Sequence, residues 1–234
     1  MGAGTLLDSI ISVVIPRRCR ICGRPAMREE KGICEQCLYT LPVSPSFRTP
    51  RQHLETARFF HNPPLVSANA LLFYRRNNVV AELIKDFKYH SCSGLAERLG
   101  GLLAIHIKAS ADYLSVDCVM PVPIHFTKRM KRGYNQTEIL ARPVAEALDV
   151  PLSADLRAVR AHATQTHKNM EERRTGVKSD LFLVRHPERY RSKHILLLDD
   201  VITTGSTIRA AADAIFRDVP EAKISALALA MTEL

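Results

Sequence analysis

The chain has 234 residues, 46% of them hydrophobic, which is room for one ordinary domain with a small appendage in a globular, soluble protein. Its 33 Lys and Arg against 24 Asp and Glu give a formal net charge of +9, so the surface attracts polyanions or phosphorylated ligands. The apolar patch LLDSIISVVI near the start is too short to span a bilayer and lacks the basic leader and cleavage site of a secretory signal; this excludes a membrane span and points to the cytoplasm, where thiols stay reduced.

The first organised stretch is built on cysteine. Cys19 and Cys22, then eleven residues, then Cys34 and Cys37 form two C-x2-C pairs. In each pair a tight turn brings two thiolates to one side, and two such knuckles complete a tetrahedral site, the pattern of structural zinc. Gly23, Pro25 and Gly32 supply turn residues around them. Four cysteines leave no open position for a catalytic metal; two disulfides or an iron-sulfur cluster are the alternatives for the same residues. Residues 41–64 hold several prolines and no clean periodicity, and read as a linker in which His53 and His61 are solvated. The chain divides into an N-terminal segment with a zinc-ribbon-like module over 1–45, a linker over 46–64 and a main domain over 65–234.

The main domain alternates strands with helices. Residues 66–74 form a strand, and 78–90 a helix with apolar positions three and four apart and Lys85 and Lys88 among them. A second helix over 95–109 follows a break at 91–94, and a strand over 116–120 comes next; Cys92 in the break and Cys118 in the strand read as unreactive thiols. Pro121 and Pro123 fix the chain as it leaves that strand, at the edge where open α/β sheets bind ligands. Lys128, Arg129, Lys131 and Arg132 then precede a helix over 136–148. Such a basic segment is either a binding loop or a solvated face, and the same choice applies to the clusters over 17–31 and 157–193. Strands over 155–160 and 180–184 flank about twenty polar residues, a length that reads as a lid or a disordered excursion. With a last strand over 223–230, the alternation implies a parallel sheet with right-handed crossovers.

The most informative stretch is KHILLLDDVITTGSTIRAAADAIF, residues 193–216. The aliphatic run 195–198 has the composition of a strand buried on both faces, and it ends in two carboxylates, Asp199 and Asp200. A polar loop over 201–207 follows, and from Ile208 apolar residues recur at helical spacing. Unpaired amides and the positive dipole end at a helix start make a pocket for a phosphate, and Gly205 lets the backbone come close to it. Thr203, Thr204, Ser206 and Thr207 add hydroxyl donors. The acid pair repels that anion but accepts hydrogen bonds from the hydroxyls of a ribose a few ångströms away. A phosphorylated ribose fits both halves, whereas neither GxxxxGK[ST] nor GxGxxG occurs.

LLLDDVITTGST resembles the signature of the type I phosphoribosyltransferases, whose ligand is 5-phosphoribosyl 1-pyrophosphate (PRPP) with magnesium. The resemblance implies that Asp199 and Asp200 hold the ribose hydroxyls as the catalytic acid pair. Val201, Thr203, Thr204, Gly205, Ser206 and Thr207 would wrap the 5-phosphate, and Lys128, Arg129, Arg132, Arg173 and Arg174 would neutralise the pyrophosphate. The order of parts over nearly the whole chain is similar to the ComF family of bacterial competence proteins: four cysteines, FKYH, PVP, KRMKRGYNQ, a QT...ERR loop and DDVITTGST. The expected fold is therefore α/β, a type I phosphoribosyltransferase sheet flanked by helices with a small four-cysteine zinc module.

Two functions of different classes follow. The ComF resemblance implies a protein that binds PRPP with magnesium and acts in natural transformation, contacting single-stranded DNA in the cytoplasm beside a membrane-associated helicase and other DNA-processing partners. The alternative is an active phosphoribosyltransferase that moves phosphoribosyl to a nitrogen nucleophile, with no role on DNA. The absence of Trp and the 6% aromatic content leave no visible base-stacking platform, and no nucleobase pocket is recognisable either.

Overall fold

Four parallel strands carry the molecule: β1 (Ser67–Tyr74), β2 (Cys118–Pro121), β5 (His194–Ile202) and β6 (Lys223–Thr232), in the spatial order β1-β6-β5-β2. The computed structural model describes residues 18–47, 56, 59, 65–89, 92–124, 134–159 and 181–232. Parallel strands need crossovers, and these are the helices α2 (Val79–Tyr89), α3 (Ser93–Lys108), α4 (Gln136–Leu148) and α5 (Ser206–Asp218), α1 (Glu35–Tyr39) being a short turn of helix in the cysteine segment. No described helix is long and apolar enough to cross a membrane.

The centre of the sheet is buried on both faces, as the aliphatic composition of its strands requires. Successive residues of β5 alternate between two cores: Leu196 and Leu198 pack with Leu83, Phe87, Leu99 and Leu140, whereas Ile195 and Leu197 pack with Ile208, Ala212 and Ile215. All four are fully buried, each contributing about 1.5–3 kcal/mol relative to exposure. Helices α3 and α4 approach closely because Gly100 has no side chain. A Cβ there would lie 2.7 Å from the Leu140 carbonyl oxygen and 3.2 Å from Cγ of Pro143.

Element limits differ from the sequence expectation mainly at β5. The strand does not stop at Leu198: Asp199, Val201 and Ile202 stay in register with Ala228, Ala230 and Met231 of β6, so the acid pair lies inside the strand. The polar loop shrinks accordingly to Thr203, Thr204 and Gly205, and α5 starts at Ser206 rather than Ile208. Helix α4 begins and ends where its periodicity predicts, with the Asn135 side chain accepting the Thr137 amide at its start. β3 (Leu156–Ala158) and β4 (Phe182–Val184) pair antiparallel in a separate two-stranded sheet, shorter than the expected strands. The lid expected between them lies outside the described residues.

The cysteine segment is continuous with the body. Ile33, Cys34, Leu38, Leu41 and Phe47 share one core with α2, α3 and α4. Val43 bridges Leu72 at the sheet edge, and the Ser44 amide donates to the Leu71 carbonyl at 2.7 Å. Within the expected linker, Phe47, Thr56 and Phe59 are all buried.

Candidate functional site

The carboxyl ends of β5 and β6 and the start of α5 meet at the DDVITTGST loop. Gly205 caps α5 with φ at 77°, a left-handed backbone that other residues adopt only under strain. A Cβ on Gly205 would also lie 2.5 Å from the ring of Phe59, which the Arg209 guanidinium overlies at 5.9 Å. Thr204 Oγ1 accepts the Ser206 amide at 3.3 Å and its hydroxyl donates to Ser206 Oγ at 3.1 Å, while the Thr232 hydroxyl at the end of β6 ties down the Thr203 carbonyl at 3.2 Å. The hydroxyl-bearing residues Thr203, Thr204, Ser206 and Thr207 are exposed around a buried glycine, and the first amides of a helix have no intrahelical acceptor. The arrangement is a cradle of donors open to solvent, suited to a phosphate. Val201 is half-buried and packs against the larger core.

The two acids have different surroundings. Both residues are buried, and Asp199 Oδ1 accepts the amide of Asp200 at 2.8 Å. Asp200 Oδ2 accepts from Lys88 Nζ at 2.8 Å. That lysine comes from the last turn of α2, whose terminal carbonyls take donors from the segment opening α4: Tyr134 Oη donates to the Phe87 carbonyl at 2.9 Å, and Gln136 Nε2 to the Lys88 carbonyl at 3.5 Å. Lys88, Tyr134 and Gln136 are site neighbours that sequence reasoning did not assign, although they fall within FKYH and RGYNQ. The sequence-expected Lys128, Arg129, Arg132, Arg173 and Arg174 lie outside the described residues.

The cysteines come together as their spacing predicts. The four Sγ atoms of Cys19, Cys22, Cys34 and Cys37 lie within 4.8 Å of one another, and Cys22 and Cys34 are 3.8 Å apart. Four sulfurs about 2.3 Å from a common centre would stand roughly 3.8 Å apart, so the cluster fits a tetrahedral structural zinc site. Peptide amides point at the sulfurs, Cys34 N to Cys19 Sγ at 3.4 Å and Cys37 N to Cys34 Sγ at 3.3 Å. Burial opposes ionisation of Cys34, but hydrogen bonds from the Arg24 guanidinium and from Cys37 outweigh it and hold the thiol at about 6. Burial, with hydrogen bonds among the neighbouring thiols, pushes Cys37 up to about 12. A bound cation would hold all four sulfurs as thiolates.

Residues 136–231, which contain the acid pair and the loop, match the family described as "Phosphoribosyl transferase domain". The chain is 28% identical over 211 residues to DNA utilization protein YhgH of Escherichia coli (strain K12), covering 86% of this chain and 84% of that one. It is 29% identical over 130 residues to Competence protein F of Haemophilus influenzae, covering 54% of this chain and 57% of the relative. Among solved structures, glutamine phosphoribosylpyrophosphate amidotransferase from B. subtilis aligns at 20% identity with a TM-score of 0.43, over 61% of this chain and 30% of that chain.

Proposed function

Because the chain is a ComF-family protein with a phosphoribosyltransferase domain, we propose that it binds PRPP with magnesium at the Asp199 to Thr207 loop and acts in DNA uptake, contacting single-stranded DNA. The observation that carries this reading is the juxtaposition of a buried acid pair with a glycine-capped helix start ringed by hydroxyls. Asp199 and Asp200 accept hydrogen bonds from the ribose hydroxyls. Thr203, Thr204, Gly205, Ser206 and Thr207 surround the 5-phosphate, with the dipole of α5 favouring its charge. Lys128, Arg129, Arg132, Arg173 and Arg174 serve the pyrophosphate. Magnesium, when bound, neutralises that pyrophosphate and makes it a better leaving group.

DNA contact falls to the cysteine module, whose basic residues are Arg18 and Arg28 together with Arg20, Arg24 and Lys31, the last three paired with Asp86, Glu30 and Glu97. The names of the relatives, a DNA utilization protein and a competence protein, support a role connected with DNA. The match of residues 136–231 to a transferase domain also supports a second reading, in which the bound phosphoribosyl group is passed to a nitrogen nucleophile.

Calorimetric titration with PRPP and magnesium tests the proposal. Saturable binding is expected for the wild type. Asp199→Asn with Asp200→Asn should weaken it by roughly 10- to 100-fold, since a hydrogen bond to a charged group contributes about 1.5–3 kcal/mol. No heat from the wild-type protein overturns the reading.

A further inference from the structure

Lys88 lies on a helix whose apolar spacing explains α2 without it, yet its ammonium is 2.8 Å from Asp200 Oδ2, with side-chain exposures of only 19% and 10%. An ion pair this far from water gains little net stability, because the desolvation of both charges offsets their attraction. What it does supply is a fixed direction for the carboxylate. We infer that Lys88 is a positioning residue of the sugar-phosphate site: it holds Oδ2 of Asp200 so that Oδ1 is presented to a ribose hydroxyl, and Tyr134 and Gln136 hold the helix end that carries it.

Three observations support this. First, Oδ1 of Asp200 has no donor among the described residues, whereas Oδ2 is engaged by Lys88. Second, among the described residues the charged groups beside Asp200 are Lys88 from α2 and Asp199 from its own strand. β6 runs alongside with Ala228 and Ala230, and the chain leaving β2 with Pro121 and Val122, so the described cation that meets the Asp200 carboxylate is the ammonium of Lys88. Third, the end of α2 is fixed rather than frayed. Its carbonyls at Phe87 and Lys88 accept from Tyr134 Oη and from Gln136 Nε2, Gln136 being fully buried. The FKYH and RGYNQ stretches thereby act on one oxygen pair of DDVITTGST. The inference rests on the PRPP site proposed above.

The test uses Lys88→Met, Lys88→Arg, Asp200→Asn and the Lys88→Met with Asp200→Asn double variant, all as full-length protein with melting temperatures recorded. In PRPP and magnesium titrations Lys88→Met should bind at least tenfold more weakly, and Lys88→Arg should recover to within about threefold of wild type. Lys88→Met should add no further loss in the Asp200→Asn background. Lys88→Met binding like wild type, Lys88→Arg failing as badly as Lys88→Met, or additive losses in the double variant would each overturn the positioning role. A measurement without ligand separates this inference from the function it rests on. In carboxylate-carbon NMR at fixed pH, the Asp200 resonance should move in Lys88→Met and hold its place in Lys88→Arg. An unmoved resonance in Lys88→Met overturns the pairing, whereas a wild type that ignores PRPP while the resonance moves overturns the proposed function and the sugar-positioning role and leaves the Lys88–Asp200 pairing standing.

Discussion

His194 sits at the amino end of β5 with both ring nitrogens engaged, Nδ1 with Ser115 Oγ at 2.9 Å and Nε2 with Ser225 Oγ at 2.8 Å. Its amide donates to Asp117 Oδ2 at 2.7 Å, so one residue ties the chain entering β2 to β5 and β6. Burial is the main cause that lowers its pKa below the ordinary value; a hydrogen bond at Ser115 and the charge of Asp117 oppose the shift, and Lys223 reinforces it. The sign of the linkage follows. Above about pH 6.5 the ring is neutral in both the folded and the unfolded chain and stability does not depend on it. As pH falls through about 6.5 toward the lower folded value, the unfolded chain takes up the proton first, so stability drops. Urea midpoints measured between about pH 7.5 and 5 should therefore decline for the wild type and decline less for His194→Gln; equal slopes would contradict this role. Gly205 is a different kind of residue-level constraint. Its φ of 77° could be anticipated from its place in the TTGST loop, whereas the ring of Phe59 packed where a Cβ would lie could not, because Phe59 comes from a proline-rich stretch with no pattern to place it.

At the level of elements, legibility followed locality. Helix α4 was readable end to end because its signal is local, a periodic apolar face, and the structure adds the Asn135 cap at its start. The end of β5 was misread because two carboxylates look like a strand terminus, while pairing with β6 across 29 residues of sequence, Asp199 with Ala228, keeps the chain extended. Lys88 was hidden for a related reason: nothing local marks a lysine among apolar residues as the partner of an aspartate, and only the packing of α2 on the sheet brings it to Asp200. The two knuckles were fully legible, since C-x2-C spacing encodes their geometry. Their attachment was not. Arg20, inside the first knuckle, reaches across to Asp86 of α2 at 3.0 Å, and Leu38, Leu41 and Phe47 enter the core of the main body. A knuckle held this way should not melt alone. Treating the zinc-loaded protein with a chelator should lower the melting temperature of the whole chain in one transition; an unchanged main transition with a separate early loss of the module would show that the shared core contributes nothing.

For the whole molecule, the parallel order β1-β6-β5-β2 puts the exits of β2, β5 and β6 on one edge, and the chain places its acids, hydroxyls and the Lys88 helix end there. The strand and helix alternation made that edge foreseeable. The packing of the cysteine segment on the same carboxyl-terminal half of α2 was not, because a proline-rich connector carries no record of what it lies against. One molecule thus joins a sulfur cluster and an acid-and-hydroxyl site through a single helix, with Asp86 turned to the first and Lys88 to the second. The most direct measurement of the central claim is a crystal structure of the protein with PRPP and magnesium. The 5-phosphate should lie against the opening amides of α5, within about 3 Å of them, and the ribose hydroxyls on Asp199 and Asp200. PRPP bound elsewhere, or seated with both carboxylates turned away from the sugar, would contradict it.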